Sequence, residues 1–309
     1  MRIAVYGAGG VGGYFGARLA AAGNDVVFIA RGAHGAAMAA QGLQVKSQLG
    51  DLTLEKVTVS DRPMDLAPID LVMLCVKLYD LDDAAAALRP ALSKDALVIP
   101  FQNGVDSEER LSAVLGADRV AAGIAYISAT VAEPGVIAHH NSSCTLVVGP
   151  QDEAQAAGQA ERLQAFVAAG KAAGFSAVYR EDMTRALWEK FVLLAPFATV
   201  TALSRQPAGV IREDADMLAL FAAAVQEAVD VGRAAAVDLD DEIAERCVSG
   251  MKALPPHMKA SMCHDLEAGR RLELEGLTGA VMRLGERHGV DTPVHRTAYA
   301  ALKPYRDGS

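Results

Sequence analysis

The 309-residue sequence has few aromatic residues and fewer basic than acidic side chains. Its net charge of −9 argues against a nucleic-acid partner, because a phosphate backbone requires a basic surface. No cluster of lysines and arginines and no cationic amphipathic stretch points to a membrane surface. Aromatic residues make up only 5% of the chain, whereas alanine is abundant, which favours helix over strand along much of the sequence.

The chain also lacks a long hydrophobic run. Its longest candidate, residues 191–203, contains Pro196 and falls short of the roughly 20 residues that a membrane span needs. The N-terminus has neither the apolar run nor the cleavage site of a signal peptide. The four cysteines have no CxxC or zinc spacing, and Cys75 lies inside an apolar run. We therefore expect a cytoplasmic protein in a reducing compartment.

The histidines show no spacing typical of a metal site. None forms an i, i+4 pair, so no metal site is predicted. The histidines considered are His139, His140, His257, His264, His288 and His295. No G-x-S-x-G motif and no Ser/His/Asp order supports hydrolysis.

Strand and helix patterns alternate in the first half of the chain, which predicts a parallel sheet with helices on its faces. The predicted strands are residues 3–6, 26–30, 71–76, 97–101, 120–126, 145–148 and 176–179, with a hairpin at 43–45 and 52–59. The predicted helices are residues 11–22, 82–92, 107–115 and 152–173. From about residue 182 only helical spacing remains, at 183–203, 214–236, 240–251 and 267–288. The predicted fold class is α/β, with a Rossmann-type parallel-sheet domain at 1–180 and an all-helical domain at 181–309.

A glycine-rich turn follows the first strand and opens the first helix. Its residues, which we call the glycine turn, are Gly7, Ala8, Gly9, Gly10, Val11 and Gly12. Gly7 permits a tight turn, Gly9 lets the backbone approach a pyrophosphate, and Gly12 lets the helix pack on the strand. The helix N-terminus then offers free N–H groups to phosphates. This context predicts a dinucleotide site; the alternative is a purely structural turn.

The end of the second strand bears on which dinucleotide binds. NAD sites usually place an acidic residue there to bind the ribose 2′-hydroxyl, but residues 28–34 contain none. Arg31 instead suits a 2′-phosphate, because its guanidinium makes paired, charge-assisted hydrogen bonds. NADPH is therefore predicted as the cofactor. The alternative is that Arg31 is only a solvent-exposed charge in a loop.

Lys77 and Asn103 follow the third and fourth predicted strands of this sheet. Ligands of open parallel sheets collect beyond these strand ends. Lys77 could neutralise a phosphate or carboxylate, and Asn103 could bind the nicotinamide ribose or a substrate carbonyl. The alternatives are a surface charge and, for Asn103-Gly104, an ordinary turn pair.

These features resemble the ketopantoate reductase (2-dehydropantoate 2-reductase) family over essentially the whole chain. The residues that carry the resemblance are the glycine turn, Lys77, Gln102-Asn103-Gly104, Trp188-Glu189-Lys190, Ala260-Ser261-Met262, Gly269 and Glu273. The resemblance implies a Rossmann domain joined to a helical domain, and NADPH-dependent reduction of a 2-oxo acid in pantothenate biosynthesis. Its implied partner is a small 2-oxo acid; the oligomeric state, including a homodimer, stays open.

The resemblance also implies roles for three residues in the second half. Lys190 would be the general acid, Glu273 would hold its ammonium, and Ser261 would bind the substrate carboxylate; Lys190 and Asn103 would also contact substrate. A cation at this position agrees with the chemistry, because hydride attack builds negative charge on oxygen. Ser261 and Glu273 face one ligand only if the helix breaks between them, for which Gly269 is the candidate. The alternatives are a lysine reaching solvent and an exposed helix charge.

Four positions depart from the family, which commonly has asparagines there. They are Leu194, Ala198, Ala208 and Met258. Asparagine amides bind the hydroxyl and carboxylate of ketopantoate, whereas these side chains cannot. Two alternatives therefore stand beside a ketopantoate reductase: a related enzyme for a more apolar 2-oxo acid, and a non-catalytic dinucleotide-binding sensor.

Overall fold

The computed structural model describes residues 1–308 and divides the chain into two compact units. The first unit comprises Met1–Gln102 and Ser107–Met183, and the second comprises Asn103–Asp106 and the chain from Thr184 onward. The described strands are β1 (Arg2–Tyr6), β2 (Asp25–Ile29), β3 (Leu43–Ser47), β4 (Leu52–Leu54), β5 (Thr58–Ser60), β6 (Ile69–Leu74), β7 (Leu92–Pro100), β8 (Ala121–Glu133), β9 (Val136–Pro150) and β10 (Ser176–Tyr179). The described α-helices are α1 (Gly10–Ala21), α2 (Gly32–Gln41), α3 (Leu81–Leu88), α4 (Ser107–Leu115), α5 (Glu153–Ala172), α6 (Met183–Ser204), α7 (Ala208–Glu213), α8 (Ala215–Ala234), α9 (Ile243–Ala253), α10 (Ser261–Glu267), α11 (Thr278–His288) and α12 (Pro293–Leu302).

The first sheet has the order β5-β2-β1-β6-β7, and all of its strand pairs are parallel. Successive side chains of β1 pack into two different apolar clusters, with Ile3 and Val5 in one and Ala4 and Tyr6 in the other. Side chains of a strand alternate between the faces of a sheet. The central strand is therefore buried on both faces, as in doubly wound α/β folds, and the predicted fold class is confirmed.

A second sheet in this unit was not anticipated as a separate layer. Its order is β10-β9-β3-β4, with β8 paired to β9 in a long antiparallel hairpin. The predicted hairpin at 43–59 is right for β3 and β4, which pair antiparallel, but wrong for β5, which joins β2 in the first sheet. The predicted strands 120–126 and 145–148 are the ends of β8 and β9.

The second unit is helical and is built around α6. Its apolar side chains form one cluster with those of α8, α9 and α11. By length and composition, α6 is the one helix within residues 1–308 that meets the requirements of a membrane span, and 67% of its most apolar stretch is buried in the protein. Burial of that extent is what a core helix of a helical unit shows.

One predicted helix in this unit needs correction, and three observed helices were not predicted. The predicted helix 267–288 is interrupted, because α10 ends at Glu267 and α11 begins at Thr278. Gly269, with φ +63°, lies in the break, where a residue without a Cβ adopts the left-handed conformation without strain. The pattern also gave no sign of α7, α10 or α12, whose lengths of 6 to 10 residues leave little periodicity to read.

Candidate functional site

Three glycines of the glycine turn are required by the fold itself. Gly7 has φ +94°, and a Cβ there would lie 2.8 Å from the backbone of Cys75. A Cβ on Gly12 would lie 2.3 Å from the carbonyl oxygen of Gly7. Gly10 is also needed for packing, since its Cβ would lie 2.0 Å from the carbonyl oxygen of Ala129 in β8. The tight turn and the close helix–strand packing expected of these glycines are therefore present.

Gly9 has no such structural reason to be glycine. Its φ of −72° suits any residue, and a Cβ there would have no heavy atom within 4 Å. It is the N-cap residue of α1, and no side chain caps the helix. The first N–H groups of a helix lack intrahelical partners and, with the helix dipole, attract anions. The open space beside Gly9 and the uncapped helix end fit a pyrophosphate group.

His34, which the sequence analysis did not select, fastens this turn to the β8–β9 hairpin. Its Nδ1 accepts a hydrogen bond from the Gly135 amide at 3.0 Å, so its Nε2 carries the proton and donates to the Ala8 carbonyl at 2.8 Å. Burial lowers the pKa of His34, which keeps the ring neutral near pH 7. His34 lies in the first turn of α2, a helix that the sequence pattern did not predict, and its role depends on a tertiary contact.

Arg31 lies at the N-cap position of α2, two residues beyond β2. Its side chain is 66% exposed, and its guanidinium forms an ion pair with Asp80 over 2.7 Å between Nη2 and Oδ2. Arg31 is therefore an accessible cation, as a 2′-phosphate contact requires, but it already has a carboxylate partner. Asp80 was not among the predicted site residues.

Lys77 and Gln102 lie just after β6 and β7. Lys77 is half-buried and precedes the short helical turn Leu78–Asp80. The Gln102 amide nitrogen donates to the carbonyl oxygens of Leu74 and Val76, both at 2.9 Å. Its Oε1 is buried without a hydrogen-bond partner among the described residues. Gln102 thus holds the loop after β6 and leaves one buried acceptor for a donor from elsewhere.

Lys190 and Asn103 are brought together within the second unit. Lys190 lies on α6, and its Nζ donates a hydrogen bond to Asn103 Oδ1 at 2.9 Å. The neighbouring side chains of Trp188, Phe191 and Val192 are buried. Removal of the ammonium from water lowers the pKa of Lys190 to about 8, because burial disfavours the charged form. Such a lysine remains mostly protonated at pH 7 and releases its proton far more readily than an ordinary lysine.

Ser261 and Glu273 lie on either side of the break at Gly269. Ser261 is the exposed first residue of α10, and no described residue hydrogen-bonds its hydroxyl. Glu273 lies in the irregular segment before α11 and is only 7% exposed, so it is not the exposed helix charge that the sequence left open. A buried carboxylate is stable only with hydrogen-bonding or charged partners.

The four positions that lack asparagine are apolar in their surroundings as well. Ala198 and Ala208 are fully buried, and Leu194 and Met258 pack partly buried against the same cluster. Ala208 and Met258 are adjacent, because the Ala208 amide donates to the Met258 carbonyl at 2.9 Å. Leu194 and Ala198 follow Lys190 by one and two helical steps on α6, which places them on the side of the helix that carries Lys190.

Within residues 1–308, no group of three histidine, cysteine, aspartate or glutamate side chains has the arrangement of a metal site. Desolvation raises the pKa of the half-buried Cys75 thiol and leaves it unreactive.

The chain matches known proteins in both of its units. Residues 3–153 match the family model described as ketopantoate reductase PanE/ApbA, and residues 182–306 match the model of the C-terminal part of the same family. The chain is 28% identical to an uncharacterized oxidoreductase, YkpB, of Bacillus subtilis, over 99% of both chains. It is 30% identical to a 2-dehydropantoate 2-reductase of Halobacterium salinarum, over 100% of both chains.

A solved structure shows the same agreement. The crystal structure of a PanE/ApbA family ketopantoate reductase from Ralstonia eutropha JMP134 superimposes with a TM-score of 0.89 at 32% identity. The match covers 99% of this chain and 98% of that chain.

Proposed function

This chain belongs to the ketopantoate reductase family of oxidoreductases, and from this premise we propose that it reduces a 2-oxo acid to a 2-hydroxy acid with NADPH. The family's reaction, from ketopantoate to pantoate, is the reference case. The observation that carries the proposal is the Lys190 ammonium, which is partly buried, has a pKa lowered by desolvation and is hydrogen-bonded to Asn103. We further propose that the protein acts in the cytoplasm, on a small molecule rather than a nucleic acid or membrane.

The glycine turn holds the dinucleotide in this proposal. Its support is the pair of observations at Gly9, an open Cβ position and a helix N-terminus without a side-chain cap. The N–H groups there bind the pyrophosphate, and His34 keeps the turn in place through the Ala8 carbonyl. When bound, the reduced nicotinamide supplies the hydride that the reaction requires. Arg31 binds the 2′-phosphate, which makes NADPH the proposed cofactor, with Lys77 as a further cation for phosphate or carboxylate.

Lys190 supplies the proton. Negative charge develops on the substrate's carbonyl oxygen as its carbon is reduced, and an ammonium next to that oxygen stabilises the charge and protonates it. Its pKa of about 8 lies close to the operating pH, which is where a general acid is most efficient. Asn103 Oδ1 accepts from the ammonium and fixes its direction. Glu273 is the proposed electrostatic partner of Lys190, and Ser261, whose hydroxyl is exposed, is the proposed carboxylate contact.

A more apolar 2-oxo acid is the second candidate substrate. Its support is the apolar character of the four positions that lack asparagine: Ala198 and Ala208 are buried, and the partly buried Leu194 and Met258 offer a hydroxylated substrate no amide partner. A site that cannot hydrogen-bond a substrate hydroxyl gains nothing from it, and burial of that hydroxyl without a partner is unfavourable. This candidate keeps the same roles for Lys190 and the glycine turn and changes only the identity of the side chain on the acid.

The test is a panel of 2-oxo acids, assayed with both NADPH and NADH by the loss of absorbance of the reduced nicotinamide. Ketopantoate and straight-chain, branched and aromatic 2-oxo acids are compared by kcat/KM. The proposal expects turnover of at least one member. The highest kcat/KM on ketopantoate would exclude the apolar alternative, and the absence of turnover with every acid and both cofactors would refute the proposed function.

A further inference from the structure

Three neighbouring strands of the first sheet end at the same level. Tyr6, the last residue of β1, pairs in register with Ile29 of β2 on one side and with Leu74 of β6 on the other. The glycine turn follows β1, while Arg31 follows β2 and Asp80 follows β6. Loops that follow parallel strands lie at one edge of the sheet, where dinucleotides bind. The glycine turn is therefore flanked by a loop that carries a cation and a loop that carries an anion.

The two loops are joined by the Arg31–Asp80 ion pair at 2.7 Å. Burial raises the pKa of Tyr6, and the nearby charges also act on its phenol, Arg31 lowering the pKa and Asp80 raising it. Both charges thus lie close to the residue that precedes the glycine turn.

A side-chain helix cap does not account for the carboxylate at position 80. Asp80 is the N-cap residue of α3, a position that favours aspartate because its side chain normally accepts a hydrogen bond from the helix. Asp80 makes no such cap, and its carboxylate accepts from Arg31 instead. Side-chain exposures of 66% and 31% belong to a class of ion pair that adds little to folding stability.

Recognition of the dinucleotide ribose gives a chemical reason for the carboxylate at position 80. NAD sites place an acidic residue at the end of the second strand, where it accepts a hydrogen bond from the ribose 2′-hydroxyl. Here that strand end carries Arg31, and the loop after β6 brings a carboxylate to the same place. A 2′-phosphate requires the guanidinium and is repelled by the carboxylate, whereas a 2′-hydroxyl is bound by the carboxylate.

We propose that Asp80 is a specificity-determining residue for the dinucleotide: it competes with the 2′-phosphate of NADPH for Arg31 and accepts a hydrogen bond from the 2′-hydroxyl of NADH. The chain consequently binds both cofactors and discriminates between them only weakly. This inference rests on the proposed function to the extent that it takes the ribose to lie beside Arg31.

The test compares the Kd values of NADPH and NADH for the wild type and for Asp80→Asn, by calorimetric titration at low ionic strength. Asparagine keeps the size of the side chain and removes its charge. Loss of one charge beside a doubly charged phosphate corresponds to roughly a tenfold tighter Kd for NADPH in a water-like dielectric. Because the neutral amide is a weaker acceptor than a carboxylate, the Kd of NADH is expected to rise severalfold.

Asp82→Asn is the matched control. Asp82 also lies at the start of α3, but its carboxylate pairs with Arg110 at 3.0 Å, so its two Kd values should stay close to those of the wild type. Arg31→Ala should weaken NADPH alone. An unchanged NADPH-to-NADH ratio in Asp80→Asn, or an equal change in Asp82→Asn, would overturn the inference. Failure of the proposed function would show separately, as no turnover of 2-oxo acids by a wild type that binds both dinucleotides.

Discussion

The lowered pKa of Lys190 predicts that reductase activity is lost at alkaline pH. Lys190 must carry a proton to act as the acid, so reduction is supported below its pKa and lost as the pH rises through it. With a pKa of about 8, the protonated fraction falls from about 0.9 at pH 7 to about 0.1 at pH 9. A lysine with an ordinary pKa near 10.4 would stay almost fully protonated over the same range.

The assay is kcat/KM for the best 2-oxo acid at saturating NADPH, measured from pH 6 to 10, since kcat/KM reports groups that ionise before the substrate binds. The expected loss from pH 7 to pH 9 is about tenfold. Asn103→Ala removes a hydrogen-bond acceptor of the Lys190 ammonium, so it should lower the pKa of Lys190 and shift the alkaline loss of kcat/KM to lower pH. A flat profile up to pH 9 in the wild type would refute the assignment of the proton donor to a desolvated Lys190.

Four further substitutions test the roles of the glycine turn, His34 and Leu194. Gly9→Ala should weaken dinucleotide affinity without lowering Tm, because its Cβ meets no protein atom. Gly7→Ala should instead lower the free energy of unfolding by about 1–3 kcal/mol through backbone strain. Calorimetric titration measures the affinity and thermal unfolding the stability, and equal Tm losses in the two variants would contradict this distinction. His34→Ala removes the donor to the Ala8 carbonyl and should raise the NADPH Kd about fivefold, the equivalent of about 1 kcal/mol. An unchanged Kd would show that His34 is not needed to hold the glycine turn in its binding conformation. Leu194→Asn should raise the ratio of kcat/KM for ketopantoate to that for an apolar 2-oxo acid about tenfold, and an unchanged ratio would show that position 194 does not contact the substrate.

The features that the sequence predicted well are local ones. The strand–turn–helix at the glycine turn was recognisable because strand, glycines and helix are contiguous. Gly269 was recognised as a candidate break, but the helix predicted from residue 267 begins only at Thr278. The parallel sheet followed from the alternation of apolar runs with helical patterns. The family membership and the fold class were both confirmed.

The features that it missed depend on contacts between distant segments. The Arg31–Asp80 pair joins residues 49 apart, and the contact of His34 with Gly135 spans 101 residues. A single sequence gives no signal for such pairs. The β8–β9 hairpin was read as two short strands because only its ends are continuously apolar, while its middle alternates in exposure. The pKa of Lys190 likewise depends on burial by elements that periodicity does not place.

The most direct test of the central claim is Lys190→Ala, with NADPH affinity and turnover measured on the same preparation. Lys252→Ala, which removes an exposed lysine from α9, is the matched control. We expect Lys190→Ala to lose turnover by two to four orders of magnitude, about the contribution of a general acid, while NADPH affinity and the control variant stay near wild type. Turnover by Lys190→Ala at the wild-type rate would contradict the role of Lys190 as the general acid. A wild type that binds NADPH but reduces no 2-oxo acid would also contradict it, and would instead fit a sensor.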